Sequence, residues 1–151
     1  MKIKPLHGIE NINFGDTKQQ IIDFLGEADS VQLFSGQATQ EQKTAQSEIH
    51  YYAKHALTLY YDGDLNARLF GISTSHAQVQ FKDIKLIGLT EQNLLTQFPQ
   101  LELDATDGFF KNYVDKPNEL TFLVRSGVVK RIDIAPNLIT FFKTYGECYS
   151  A

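Results

Sequence analysis

Four histidines, one cysteine and a serine-rich stretch are the residues of this 151-residue chain whose types could support chemistry. His50 and His55 lie five positions apart. That is neither the i, i+4 spacing that puts two imidazoles on one helix face nor the even spacing that keeps them on one side of a strand. His7 and His76 stand far from both, so a zinc site would need distant residues to converge. Surface or edge positions are the expectation for all four. Cys148 sits close to the C-terminus, where a held base and an orienting third group are hard to supply to a nucleophile. Ser73, Ser75 and His76 cluster, but no Gly-x-Ser-x-Gly elbow frames them, and Gly71-Ile72-Ser73 is no phosphate-cradling fingerprint. Asp62-Gly63-Asp64 lacks the spaced oxygen ligands of a calcium loop, and the carboxylate pairs Asp62 with Asp64 and Asp104 with Asp107 fall in turn-like, solvated contexts. The residue types therefore predict no catalytic centre, no metal and no cofactor.

Composition narrows the classes. With 42% hydrophobic and 12% aromatic residues, the chain can bury a sizeable core and does not read as disordered. A formal charge of −4 disfavours an extended nucleic-acid surface, which needs clustered Lys and Arg. It suits a basic protein partner instead, because opposite fields steer association. A single cysteine allows no internal disulfide. The N-terminal stretch has no signal-like apolar core, and no run approaches the roughly 20 apolar residues of a membrane span. A cytoplasmic protein without a membrane partner is the expectation.

The elements that must position any site are announced twice. Gly15 to Gly26, GDTKQQIIDFLG, is echoed by Gly88 to Pro99, GLTEQNLLTQFP. Gly15 answers Gly88, Thr17 answers Thr90, Ile21 and Ile22 answer Leu94 and Leu95, and Leu25 answers Phe98. A second echo follows each: Leu57-Thr58-Leu59 with Arg68-Leu69, against Leu120-Thr121-Phe122 with Arg131-Ile132. Thr17 and Gln20 predict a capping box on the first helix; Asn93 stands where the second would need its Gln. Gly26 and Pro99 close the two helices. Helices this short cannot hold in water alone, so both must dock on strands. Strand-like runs cover Val31–Phe34, Ile49–Ala53, Leu57–Asp62, Asn66–Ser73, Leu101–Leu103, Phe109–Val114, Leu120–Arg125 and Val128–Ala135, while Val79–Ile87 leads into the second helix. The polar stretch 35–47 reads as a surface loop or hairpin tip. After Pro136, Leu138, Ile139, Phe142 and Tyr145 suit a helix closed by Gly146.

Strand alternation sorts side chains between two faces. Leu57, Leu59, Tyr61, Leu120, Phe122, Val124, Ile132 and Ile134 are expected under the helices. The opposite face carries Thr58, Tyr60, Asp62, Arg68 and Phe70, then Thr121, Leu123, Arg125, Arg131 and Asp133. It is mixed in charge around Tyr60, Phe70 and Leu123. Two readings stay open: the halves pack on each other and bury these groups, or the face meets a partner through them.

Gly15-x-Thr17, the apolar pair Ile21-Ile22 and Leu25-Gly26-Glu27-Ala28-Asp29 resemble the helix-opening motif of the β-lactamase-inhibitor-protein-like and small-protein-A/outer-membrane-lipoprotein-A repeats. Counting both copies, the resemblance covers roughly residues 12–74 and 85–135. It implies helices packed on an antiparallel sheet and a surface that grips another protein. Without the signal and acylated cysteine of the lipoprotein members, the chain is similar to immunity proteins, which cover toxin domains in contact-dependent inhibition. The resulting expectation is an α+β fold, a tandem repeat of a helix packed on an antiparallel β-sheet. It would be one domain over residues 1–151, with repeats at about 9–75 and 79–135 and a C-terminal helix at 137–146. The expected function is non-catalytic: occlusion of a cognate, basic bacterial toxin such as a nuclease. Tyr60, Asp62, Asp64, Arg68, Phe70, Asp104, Asp107 and Leu123 would be the partner-binding residues. The alternative is a small-molecule or peptide binding module with a pocket between the repeats, lined by Tyr51, Tyr52, Phe109 and Tyr113.

Overall fold

Thr17 opens helix α1 (Lys18–Leu25) by the reciprocal pair its sequence predicts: Gln20 N–H donates to Thr17 Oγ1 at 3.2 Å, and Thr17 N–H donates to Gln20 Oε1 at 2.8 Å. Thr90 opens α2 (Glu91–Gln97) with half of that arrangement, accepting from Asn93 N–H at 3.1 Å. The computed structural model describes residues 1–34, 47–63 and 67–145. The polar stretch 35–46, Asp64, Gly146 and Cys148 lie outside the described residues.

The glycine before each cap has the same task. Gly15 and Gly88 both hold φ near +90° (93° and 95°), a conformation that side chains with a Cβ disfavour. Each turns the chain so that the segment after it lies against the start of a strand. Gly15 N–H donates to Leu69 O and Gly88 N–H to Val129 O, both at 2.9 Å, and Leu69 N–H and Val129 N–H return bonds to Asp16 O and Leu89 O. The echoed sequence thus encodes one local device used at two places.

The strands are β4 (Ser30–Phe34), β5 (Ser47–Tyr52), β6 (Leu57–Asp62), β7 (Arg68–Thr74), β10 (Glu102–Asp107), β11 (Phe110–Asp115), β12 (Leu120–Arg125) and β13 (Val128–Ile134). They form a single eight-stranded sheet in the order β10-β11-β12-β13-β7-β6-β5-β4, antiparallel at every pairing. A small three-stranded sheet, β1 (Ile3–Lys4), β2 (Gly8–Ile9) and β3 (Ile12–Asn13), precedes it. A two-stranded ribbon, β8 (Gln80–Phe81) with β9 (Ile84–Lys85), links the halves, and α3 (Leu138–Tyr145) closes the described chain.

This architecture overturns the expected tandem repeat of helix-on-sheet units. The described residues are mostly antiparallel β-sheet, with three short helices among them. The join is made where Ile72, Ser73 and Thr74 of β7 pair with Ile134, Asp133 and Ile132 of β13. Two separate units would each have left a central strand with an unpaired edge; merging the strands satisfies both edges. One hydrophobic core follows. Ile21 of α1 and Leu94 of α2 lie in the same cluster as Leu59, Tyr61, Phe122 and Ile132. Phe98, at the end of α2, stacks between Phe81 and Phe122 at centroid distances of 5.6 and 5.9 Å. The face expected under the helices is the buried one, in all eight named residues.

Candidate protein-contact surface

The histidine expectation fails at His50. It is only 3% exposed, because in β5 it points to the core side opposite Leu59, with its ring 4.7 Å from that of Tyr61. Its Nε2 lies 3.1 Å from Glu48 Oε1, and Glu48 also receives Lys18 Nζ at 2.6 Å. Burial works to raise the Glu48 carboxyl, but the bonds from Lys18 and His50 prevail and hold it below its ordinary range. Lys18, Glu48 and His50 therefore form a part-buried polar strut between α1 and β5. His76 accepts Gln78 N–H on Nδ1 at 3.0 Å, a turn contact. Among the described residues no group of three or more His, Cys, Asp and Glu is placed to hold a metal ion.

The open face of the sheet has a polar row at its centre. Thr58, Ser73, Asp133 and Thr121 stand side by side across β6, β7, β13 and β12. Ser73 Oγ donates to Asp133 Oδ1 at 2.7 Å, and Arg131 grips the same carboxylate through Nε at 2.9 Å and Nη2 at 3.2 Å. The serine proton is thus held by a carboxylate already paired with a guanidinium, an arrangement that orders the sheet rather than activating a nucleophile.

Around this row the structure sorts the sequence-predicted residues into two groups. At one end, Phe70 is left over at a bulge between the pairs Tyr60↔Gly71 and Tyr61↔Leu69, and its ring meets Tyr60 edge-on at 6.4 Å. Gly71 provides the space: a Cβ there would come within 3.3 Å of Tyr60 Cδ2. Asp62 pairs in register with Arg68, whose guanidinium bonds Gly15 O at 2.7 Å and lies 4.7 Å from the Tyr145 ring centroid. Arg68 is thus engaged within the chain.

Leu123 lies at the other end of the face, roughly 20 Å from Tyr60 by three strand spacings across and four residues along. It is joined there by Asp107, since the rows Asp107–Phe110–Arg125 and Ala105–Asn112–Leu123 are adjacent. Asp104 sits at a bulge between Leu103 and Ala105. Along β10 all six residues are exposed. Phe109, at the turn beyond it, is 79% exposed, Leu103 is 54% exposed, and Phe110 shares its ring face with the Arg125 guanidinium at 5.3 Å. Sequence reasoning missed Phe109 and Phe110 as members of this surface. Their signal was present in the adjacent aromatics beside Gly108, at the mouth of a hairpin.

The hairpin carrying this group is tied down from beneath. Tyr113, on the core side of β11, donates its hydroxyl to Glu91 at the start of α2, and Lys111 Nζ meets the same carboxylate oxygen at 2.9 Å. These bonds hold the Glu91 carboxyl below its ordinary value, the Tyr113 bond contributing most. Burial, then the hydrogen bond to Glu91, pushes the Tyr113 hydroxyl up to about 12.

A separate open cleft of about 500 Å³ lies between the N-terminal small sheet and α3, with Leu6, His7, Phe14, Phe141 and Tyr145 among its walls. None of Tyr51, Tyr52, Phe109 and Tyr113 lines it: Tyr52 and Tyr113 are buried, Tyr51 is exposed on β5, and Phe109 is exposed at the β10–β11 turn. Among the described residues no helix is long and apolar enough to cross a membrane.

No family model and no curated relative matches the chain. The fold is similar to that of a solved structure, the uncharacterized protein yfeY from Escherichia coli, at a TM-score of 0.58 and 11% identity, covering 86% of this chain and 97% of that one. At that identity the likeness shows a shared fold.

Proposed function

We propose that this protein is a non-catalytic inhibitor of the immunity type, which binds a cognate bacterial toxin in the cytoplasm and neutralises it by occlusion. The observation that carries this reading is the β10–β11 end of the sheet. There Leu103, Phe109 and Phe110 are exposed beside Asp104 and Asp107, which make no ion pair among the described residues. Exposed aromatics beside carboxylates without an ion-pair partner are what an interface uses to anchor and steer a basic partner. Leu123 and Arg125 extend the surface across the open face, and a standard interface needs only about 800 Å² per partner. Tyr60, Phe70 and Asp62 form a second patch at the opposite end. The test is co-expression with the product of the neighbouring gene, the expected toxin. A 1:1 complex on size exclusion, together with restored growth, is expected. Unrelieved toxicity with no complex rejects the reading.

The cleft beside α3 favours a second reading. Its volume lies within the range of small-molecule sites, and it combines aromatic walls with polar groups. A ligand-dependent rise in melting temperature that Phe141→Ala abolishes would support a small-molecule or peptide binding module.

A further inference from the structure

The outermost strand of the sheet points to how such a partner is held. β10 pairs with β11 on one side and, among the described residues, has no strand on the other. Asp107 and Phe110 flank the two-residue turn Gly108-Phe109 and pair directly. In an antiparallel ladder such a flanking pair exchanges its bonds inside the hairpin, so Thr106, one residue back, turns its N–H and C=O outward. The free edge is therefore a template for another strand. Its side chains determine which strand. Glu102 and Asp107 lie on the open face of the sheet and Leu103 on the core side, by their register with Val114, Phe110 and Tyr113. Glu102 is bridged to Lys116 at 3.3 Å, whereas Asp104 and Asp107 have no cationic partner among the described residues. A second copy of β10 would set carboxylates against carboxylates, which is unfavourable for directly opposed pairs. A basic strand would set cations against them. The opposite edge offers a contrast: β4, SVQLF, carries no charge at all.

Resting on the protein-inhibitor reading above, we propose that β10 accepts an extended segment of its partner as a ninth strand. That segment alternates Lys or Arg, facing the acidic side, with apolar residues facing Leu103. Backbone bonds to the edge supply affinity, and the alternation supplies specificity.

The probe is a capped (Lys-Val)4 peptide titrated into the full-length protein and followed by amide NMR, with (Glu-Val)4 as the control. Amide shifts and slowed hydrogen exchange confined to residues 102–107 are expected, with no response to (Glu-Val)4. Thr106→Pro removes an outward N–H, a place where edge strands tolerate proline, and should weaken binding about three- to tenfold, the worth of about one backbone hydrogen bond. Asp107→Lys should weaken it comparably, and it covers the case in which the proline variant fails to fold. No binding, equal binding of the two peptides, or binding indifferent to both variants overturns the proposal. The toxin complex separates the two ideas. If it forms with wild type and equally with both variants, the inhibitor reading stands and strand addition fails. If the peptide adds to β10 but no toxin complex forms, the inhibitor reading fails alone.

Discussion

Glu91 shows how much one carboxylate can depend on its setting. Tyr113 and Lys111 both donate to it, and its pKa is lowered from the ordinary 4.5. A carboxyl whose folded value lies below its unfolded one contributes stability fully above the unfolded value and loses it as pH falls through the folded one. Glu91→Gln should therefore cost roughly 1–2 kcal/mol at neutral pH, the size of a charge-assisted hydrogen bond. The difference between variant and wild type should shrink as pH drops well below 4.5; urea midpoints at pH 7 and in strong acid measure both. At this scale the sequence was readable where the interaction is local. Thr17 and Gln20 sit three apart, and that spacing alone makes the capping box. The burial of His50 was not readable, because Glu48, two residues away in the same strand, is held against the ring's Nε2 by Lys18 of another element, α1.

Among the elements, the two short helices differ in how they start and agree in how they dock. The complete box at Thr17 and the single bond at Thr90 predict unequal costs. Thr17→Ala should lose about 1 kcal/mol and Thr90→Ala less, by denaturant unfolding. Docking dominates both, since helices of eight and seven residues do not persist alone. Ile21→Ala and Leu94→Ala, each at a nearly fully buried position, should each cost about 2–5 kcal/mol. Equal and negligible losses would mean that the helices are not held by this face. The strands were legible for a related reason: alternation in Leu57–Asp62 and Leu120–Arg125 is a property of consecutive residues, and it picked the buried side correctly.

For the whole molecule, the continuous sheet and shared core predict one cooperative unfolding transition. Two independent units would instead unfold in steps. With no tryptophan in the chain, circular dichroism and tyrosine fluorescence are the probes, and their midpoints should coincide. The same scale decides where a partner is gripped. Phe109→Ala combined with Phe110→Ala should raise the Kd for the toxin about tenfold or more, as hot-spot aromatics do. Tyr60→Ala combined with Phe70→Ala tests the opposite patch, and a larger effect there would move the interface to it.

The amino-acid sequence by itself determined the caps of α1 and α2 and the strand alternation, because each rests on residues within a few positions of one another. Only the tertiary structure decided that β7 joins β13, that β10 is left outermost, and that Leu123 stands with Asp107 rather than with Tyr60. Any strand offers the same backbone donors and acceptors to any neighbour. Which strands meet is therefore decided by burying every inner edge at once, a condition on the whole chain that no local stretch carries.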